Sequence, residues 1–261
     1  MVSNLSITFM IITIIISVIL PISITIYLYK KYKISFKSIF TGIFVFVLFV
    51  LILESLMHKY FLVTNVNTTK LLENPWAYAI YGAFAAGIFE ECGRFLAYTL
   101  ILKPYRRWED GVAFGIGHGG IEAILIGGAT ALQNLIFALS INKGTFEGQF
   151  AGKLPTYMIE GIRSSLINAP SYHFLIGGIE RLFALCIQVG LSVLVLYGVK
   201  NKKYIYLLYA ILLHALVDFP AALFQKGIIT NLWAMEGIVA VAGISFLVYT
   251  IRSKKRGILH D

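Results

Sequence analysis

The chain has 261 residues, of which 58% are hydrophobic and only 13% are charged. This composition leaves too little polar surface for a soluble globular protein of that size, so it excludes one and indicates an integral membrane protein. The formal net charge of +9 does not indicate nucleic-acid binding. The basic residues stand in short clusters at the ends of apolar segments, where they set the topology of a membrane protein.

Seven apolar segments are each long enough to cross a bilayer as a helix. In chain order they cover residues 7–29, 39–57, 76–102, 111–141, 172–199, 204–224 and 228–251. The fourth is rich in glycine and longer than one crossing requires, which predicts a tilted helix or a break near Gly127. The polar segment 58–75 is predicted to be an outer loop. The longer connection, 142–171, is interpreted as an outer lid, an interfacial helix or a plain connector.

The distribution of basic residues predicts the orientation of the chain. With the N-terminus outside, the inner segments contain 14 of the 22 Lys and Arg residues, and the outer segments contain six. Basic residues concentrate on the cytoplasmic side of membrane proteins. We therefore predict an all-α integral membrane protein, a polytopic bundle of about seven transmembrane helices with its N-terminus outside and its C-terminus in the cytoplasm.

The third apolar segment contains three charged residues, Glu90, Glu91 and Arg94. Charged groups inside a membrane span are costly unless they are paired or take part in function, so this stretch indicates a functional site. Glu90 and Arg94 share one helix face, whereas the adjacent Glu90 and Glu91 point about 100° apart. We expect one glutamate to face a cavity and the other to pair with Arg94 or with a neighbouring helix.

Two later segments each carry a histidine and a carboxylate four residues apart. The pairs are His118 with Glu122, and His214 with Asp218. This spacing places both members of a pair on one helix face. Counted from the inner end of each span at about 1.5 Å per residue, these groups and the two glutamates lie roughly 11 to 21 Å deep. Ionisable groups at similar depth on three helices predict a shared site, and a polar network that only fastens helices together is the alternative.

Hydrolysis is the chemistry that these groups favour. Amide cleavage needs an activated water, a base for its proton and an electropositive group beside the oxyanion, and a carboxylate, two imidazoles and a metal ion supply them. Two histidines and a carboxylate also match a catalytic zinc site, so Zn²⁺ is the expected cofactor. The candidate catalytic residues are Glu90, Glu91, His118 and His214. The candidate metal ligands are His118, Glu122, His214 and Asp218.

Two points of this chemistry stay open at the level of sequence. The attacking water is activated either by a bound metal or by a carboxylate alone. Glu122 and Asp218 are either ligands or groups that orient the imidazole rings.

The motifs Glu90-Glu91-x-x-Arg94, His118-Gly-Gly-Ile-Glu122 and His214-Ala-Leu-Val-Asp218 follow one another on successive spans. In this order they resemble the YhfC family of intramembrane metalloproteases, which is similar to the PrsW proteases and more remotely to the CAAX-processing (Abi) and bacteriocin-immunity proteases. The resemblance covers about residues 78–224. It implies Glu90 or Glu91 as the water-activating carboxylate, with the two histidines as metal ligands or oxyanion partners.

Two positions differ from the CAAX-processing branch. Asp218 stands where that branch has asparagine, and Arg94 follows the glutamate pair by three residues rather than four. Both differences favour the YhfC and PrsW side of the resemblance and weaken the case for a prenylated substrate.

The fifth segment contains a further charged pair, Glu180 and Arg181. The Gly-Gly-Ile-Glu sequence at 177–180 repeats that at 119–122, although four residues are too few to show an internal duplication. We interpret the pair as a structural ion pair that supports the site, with a place along the substrate path as the alternative.

We therefore expect an intramembrane peptidase that hydrolyses peptide bonds of membrane-embedded or membrane-anchored proteins. Its partners are the lipid bilayer and a membrane protein or peptide substrate. An ion- or proton-coupled transporter is one alternative, because intramembrane carboxylates and histidines also form ion relays. A non-cleaving membrane protein of the bacteriocin-immunity type is the other. The predicted parts are a two-span segment with its outer loop (1–75), a catalytic membrane core (76–225), and a last span with a basic cytoplasmic tail (226–261).

Overall fold

The computed structural model describes residues 1–259, which lie largely in helices and include no β-strand. The last two residues of the predicted 226–261 segment lie outside this part of the chain. The helices are α1 (Asn4–Tyr32), α2 (Phe36–Thr64), α3 (Val66–Leu71), α4 (Pro75–Leu96), α5 (Trp108–Lys143), α6 (Phe146–Phe150), α7 (Thr156–Asn168), α8 (Tyr172–Lys200), α9 (Ile205–Gln225) and α10 (Leu232–Lys255). The predicted all-α membrane fold is confirmed.

Six helices of the described chain are long and apolar enough to span a membrane, namely α1, α2, α5, α8, α9 and α10. Helix α4 occupies the third predicted span and is not among the six. It contains Glu90, Glu91 and Arg94, which lower its apolar character. The seven predicted spans therefore all correspond to long helices, and the one outside the apolar set carries both candidate glutamates.

Several helices extend beyond their predicted boundaries. Helix α2 runs to Thr64, so the first part of the predicted loop 58–75 is helical. Helix α5 continues through Gly127, so the break, one of the two predicted alternatives, is absent there, and the turns widen to π-helical hydrogen bonding over Ala123–Gly128. The connection 142–171 contains the helices α6 and α7. Where the helix continues, its own hydrogen bonds pair the backbone N–H and C=O groups, whereas in a loop these groups would need other hydrogen-bond partners.

The start of α4 is determined by local sequence. The side chain of Asn74 accepts hydrogen bonds from the backbone N–H groups of Trp76 and Ala77. Pro75 takes the first helical position, where no backbone N–H is needed. The helix then continues for 22 residues and carries Glu90, Glu91 and Arg94 in its last turns.

Two compact units make up the chain. Unit 1 comprises Met1–Ile24 and Glu122–Leu182, and unit 2 comprises Thr25–Ile121 and the chain from Phe183 onward. In unit 1, α6 and α7 contribute to an apolar core. Its buried residues are Val2, Met10, Ala138, Ile141, Phe146, Ile159 and Leu166. Unit 2 contains α4 and α9, which pack along one another.

Small residues line the face by which α4 packs in unit 2. Ala79 and Ala83 are fully buried, and Gly87 follows at the same four-residue spacing. Residues four apart share a helix face, so Glu91 projects from this packed face as well. The backbone of α4 therefore brings its charged groups against the neighbouring helices.

Gly87 allows α4 and α9 to approach closely. A Cβ atom at this position would lie 2.8 Å from the backbone oxygen of Ile211 and 3.6 Å from Cβ of His214. At Gly82, on the same helix, a Cβ atom would meet no heavy atom of the described chain within 4 Å. The two glycines therefore form a matched pair of sites for substitution.

We expect Gly87→Ala to lower the free energy of unfolding by about 1–3 kcal/mol, because the two helices must separate to admit the methyl group. Gly82→Ala is expected to be neutral or to stabilise by up to about 1 kcal/mol, because alanine favours helix. Thermal unfolding of both variants in one detergent measures the difference. Equal midpoints for the two variants would contradict close packing at Gly87.

Candidate active site

Glu91 is held by a buried ion pair. Nη1 of Arg94 donates to both carboxylate oxygens of Glu91, at 2.5 and 2.6 Å, and neither side chain is exposed. Nη2 of Arg94 donates to the amide oxygen of Gln188, in α8. Such charge-assisted hydrogen bonds are strong and fix the carboxylate in the ionised form. Glu91 is therefore poorly suited to take a proton from water.

His214, on α9, connects the two glutamates. Its Nδ1 lies 2.8 Å from Oε1 of Glu91, and because an ionised carboxylate only accepts, Nδ1 carries the hydrogen. Its Nε2 lies 3.9 Å from Oε1 of Glu90 and 3.4 Å from Oδ2 of Asp218. In the neutral ring this Nε2 has a lone pair, which is the form in which imidazole binds a metal ion.

Glu90 lies at the centre of the cluster. Its Oε2 lies 2.8 Å from Nε2 of His118 and accepts a hydrogen bond from Nε2 of Gln188 at 2.9 Å. His118 is fully buried, and its ring packs edge-on against Phe46 with centroids 5.3 Å apart. No guanidinium of the described chain is hydrogen-bonded to Glu90. Of the two glutamates, Glu90 is therefore the one that does not accept a hydrogen bond from Arg94.

The cluster holds more negative than positive charge. Glu90, Glu91 and Asp218 supply three carboxylates, and Arg94 supplies one guanidinium. Glu90 is 6% exposed and Glu91 is fully buried, whereas the Asp218 side chain is 39% exposed. Uncompensated charge is costly in a buried membrane site. The geometry therefore favours a further cation, either a proton on an imidazole ring or a bound metal ion.

Three of the predicted site residues belong to unit 1. Glu122 follows His118 by one turn of α5. Oε1 of Glu122 lies 3.1 Å from Nη1 of Arg181. Nη2 of Arg181 donates a hydrogen bond to Glu180. Arg181 thus pairs with two carboxylates.

A family model described as YhfC intramembrane metalloprotease matches residues 16–239. The chain belongs to the YhfC intramembrane metalloprotease family. A protein of Bacillus subtilis (strain 168) described as "Uncharacterized membrane protein YhfC" is 42% identical over 255 residues, which cover 98% of this chain and 99% of the relative. No solved structure matches the chain significantly.

Membership of the YhfC family confirms the resemblance seen in the sequence motifs. The relative is a membrane protein, and the six apolar helices agree with a multi-pass membrane location. The family description implies a metal-dependent activity. The more remote likeness to the PrsW and CAAX-processing proteases stays a prediction.

The donor groups of this YhfC-family site fit a divalent metal ion. Bonds of about 2.0–2.1 Å to tetrahedrally arranged ligands place neighbouring ligand atoms roughly 3.3 Å apart. Nε2 of His214 lies 3.4 Å from Oδ2 of Asp218, which is close to this spacing, and Nδ1 of His118 is buried without a hydrogen-bond partner in the described chain. Metal-binding histidines usually donate the N–H of their second ring nitrogen to a carboxylate, and Nδ1 of His214 donates to Glu91 in this way. Imidazole nitrogen and carboxylate oxygen are the donors that zinc accepts.

Gln188 is the residue of this site that the sequence analysis missed. Its amide accepts from Arg94 and donates to Glu90, and its side chain is buried. It thereby links Glu90 to Arg94, the residue that pairs with Glu91. The sequence does contain a clue to Gln188, because it is an amide inside an otherwise apolar span, and polar side chains within membrane helices often form hydrogen bonds between helices.

Proposed function

We propose that this protein is an intramembrane peptidase, which hydrolyses peptide bonds of membrane-embedded or membrane-anchored proteins with the help of a zinc ion. The observation that supports it best is the division of roles between adjacent glutamates. Arg94 holds Glu91, whereas Glu90 lies between the imidazoles of His118 and His214. A carboxylate placed in this way is suited to act on water.

Glu90 is the proposed general base. Its carboxylate accepts the proton of the attacking water and then passes that proton to the leaving amine, as a base positioned at hydrogen-bond distance does. Gln188 donates to Oε2 of Glu90 and so fixes which way the carboxylate faces. The buried surroundings strengthen each of these electrostatic contacts.

His118, His214 and Asp218 are the proposed metal ligands. They would hold a zinc ion, which would supply a Lewis acid to the reaction. Glu91 orients the ring of His214 by accepting from its Nδ1, and Arg94 holds Glu91 for that purpose. Glu122 stays outside the proposed ligand set because its carboxylate pairs with Arg181.

The proposal is tested with the detergent-purified protein and a pooled set of single-span membrane peptides in water enriched in oxygen-18. Hydrolysis places the heavy oxygen in the new carboxyl terminus of each fragment, which mass spectrometry detects. We expect labelled fragments with the wild type and with the exposed-site control Glu160→Gln, and none with Glu90→Gln. Solute flux that depends on Glu90, without any cleavage, would instead support a transporter.

A further inference from the structure

A cavity of about 460 Å³ lies at the C-terminal end of α10, within unit 2. The distribution of basic residues places this end of the helix on the cytoplasmic side. The lining comes from the last turns of α10 and from the turn that follows, and it includes Ile244, Val248, Tyr249, Arg252, Arg256 and Ile258. The volume falls in the range of about 300–1,000 Å³ that is typical of pockets for small molecules.

Two arginines of this lining are unpaired and stand side by side. The backbone N–H of Arg256 donates to the backbone oxygen of Arg252 at 3.0 Å, so helical geometry extends to Arg256 and the two side chains share one helix face. Neither guanidinium makes a hydrogen bond or an ion pair within residues 1–259. No Asp or Glu of the described chain lines the cavity. Like charges at this spacing destabilise a helix, and an anion bound between them removes that repulsion.

The lysines of the same helix turn have other surroundings. Nζ of Lys254 lies 3.3 Å from Oε1 of Glu109 and 3.5 Å from the centroid of the Tyr32 ring. Lys255 is exposed and does not line the cavity. Positive charge near the C-terminus of a helix is favourable in general, and these two lysines supply it. The helix dipole therefore does not explain why two unpaired arginines are aligned along a cavity.

The polarity of the lining changes along α10. Ile244 and Val248 are apolar and exposed at the deeper end of the cavity, and the two arginines stand at its other end. The helical rise of about 1.5 Å per residue separates Ile244 from Arg256 by roughly 18 Å. Between them, the hydroxyl of Tyr249 makes no hydrogen bond within the described chain and is available as a donor. A phospholipid has the same order of groups, with acyl chains first and a phosphate at the end.

A folded turn forms the other wall of the cavity. Ile258 contributes to the lining from this turn. The next residue, Leu259, is fully buried, and its backbone oxygen accepts a hydrogen bond from Nζ of Lys200 at 3.2 Å. This contact ties the turn to the end of α8, so the cavity is bounded by α10 on one side and by an anchored turn on the other.

We propose that this cavity binds an anionic phospholipid, whose phosphate contacts Arg252 and Arg256 while an acyl chain covers Ile244 and Val248. Guanidinium groups bind phosphate through paired, charge-assisted hydrogen bonds. Basic pockets on the cytoplasmic side of membrane proteins recognise anionic headgroups. A free phosphate offers the same oxygens but leaves the apolar end of the cavity uncovered. The lipid site does not depend on the proposed peptidase activity.

Native mass spectrometry of the detergent-purified protein tests the lipid site. The wild type is incubated with an equimolar mixture of phosphatidylglycerol and phosphatidylcholine that have the same acyl chains. We expect one phosphatidylglycerol to be retained per chain, with a preference of about tenfold, the factor that one charge-assisted hydrogen bond provides. Equal retention of the two lipids by the wild type would overturn the proposal without the need for any variant.

Two double variants that remove the same number of positive charges assign the preference to the cavity. Arg252→Gln with Arg256→Gln is expected to abolish it, whereas Lys30→Gln with Lys255→Gln, at exposed positions outside the lining, is expected to keep it. Arg256→Gln alone, just beyond the end of α10, is expected to lower it to about threefold, which is half of the effect in free energy. A preference that survives in the arginine variants would overturn the proposal. Loss in the lysine variant as well would do the same, because it would show a general attraction of the basic surface.

Inorganic phosphate is the other source of this chemistry, and isothermal titration calorimetry in the same detergent measures its binding. We expect phosphate to bind far more weakly than phosphatidylglycerol, because it covers none of the apolar lining. If phosphate binds in a manner that depends on Arg252 and Arg256 while phosphatidylglycerol is not preferred, the cavity takes free phosphate and the lipid assignment is wrong.

Discussion

Glu90→Gln is expected to lower the rate of peptide hydrolysis by about 10²- to 10⁴-fold, the usual contribution of a positioned general base. Glutamine keeps an oxygen that accepts from Gln188, but it cannot take a proton from water. The substitution also removes one negative charge from a cluster in which carboxylates outnumber guanidinium groups. We therefore expect the folded state to be at least as stable as that of the wild type.

The measurement is the single-turnover rate on one cleaved peptide from the pool, beside thermal unfolding of the same preparation. Glu160→Gln is the matched control, since it makes the same chemical change at an exposed position. A rate within about threefold of the wild type would remove Glu90 from the role of general base. A large loss of stability would show that the carboxylate is structural instead.

Arg94→Ala is expected to have the largest effect on stability. Arg94 and Glu91 are both fully buried, and removing one member of a buried pair leaves the other charge uncompensated, at a cost of about 3–5 kcal/mol. Arg163 offers a matched control, because it pairs with Glu147 at 3.0 Å while both side chains are more than half exposed. Exposed pairs contribute about 0–1 kcal/mol, so Arg163→Ala should unfold at nearly the wild-type midpoint.

Unfolding of the two arginine variants in the same detergent provides the comparison. Loss of Arg94 also frees Glu91 and leaves the amide oxygen of Gln188 without its guanidinium donor. If Arg94→Ala unfolds at the same midpoint as Arg163→Ala, the buried pair does not stabilise the helices of unit 2. Restoration by Glu91→Gln in the double variant would attribute the loss to the unpaired carboxylate.

The sequence predicted the helices and the faces that carry the candidate site, because both follow from periodicity. Four-residue spacing placed His214 and Asp218 on one face, and their side chains lie 3.4 Å apart. It also predicted that Glu90 and Glu91 differ in their partners. Which glutamate pairs with Arg94 was not predictable, because the helix positions alone allow both and the outcome depends on side chains from α8 and α9.

The pairing of Glu122 with Arg181 was not predictable from the sequence either. Arg181 lies 59 positions away, and only the packing of unit 1 brings its guanidinium to that carboxylate. Local sequence likewise did not indicate that α2 continues to Thr64, since the polar residues of 58–75 are typical of a loop. Long-range pairing and helix ends depend on tertiary contacts that spacing does not encode.

His118 and His214 are proposed to hold a metal ion beside Glu90. Elemental mass spectrometry of the detergent-purified protein tests it most directly, with His118→Ala, His214→Ala and the control His58→Ala, whose ring contacts Tyr81 and Glu54. We predict about one zinc ion per chain in the wild type and in the control, and loss of zinc in the other two variants. A metal-free preparation that still cleaves peptides would contradict the proposed metal site, and would assign the chemistry to water activated by Glu90 alone.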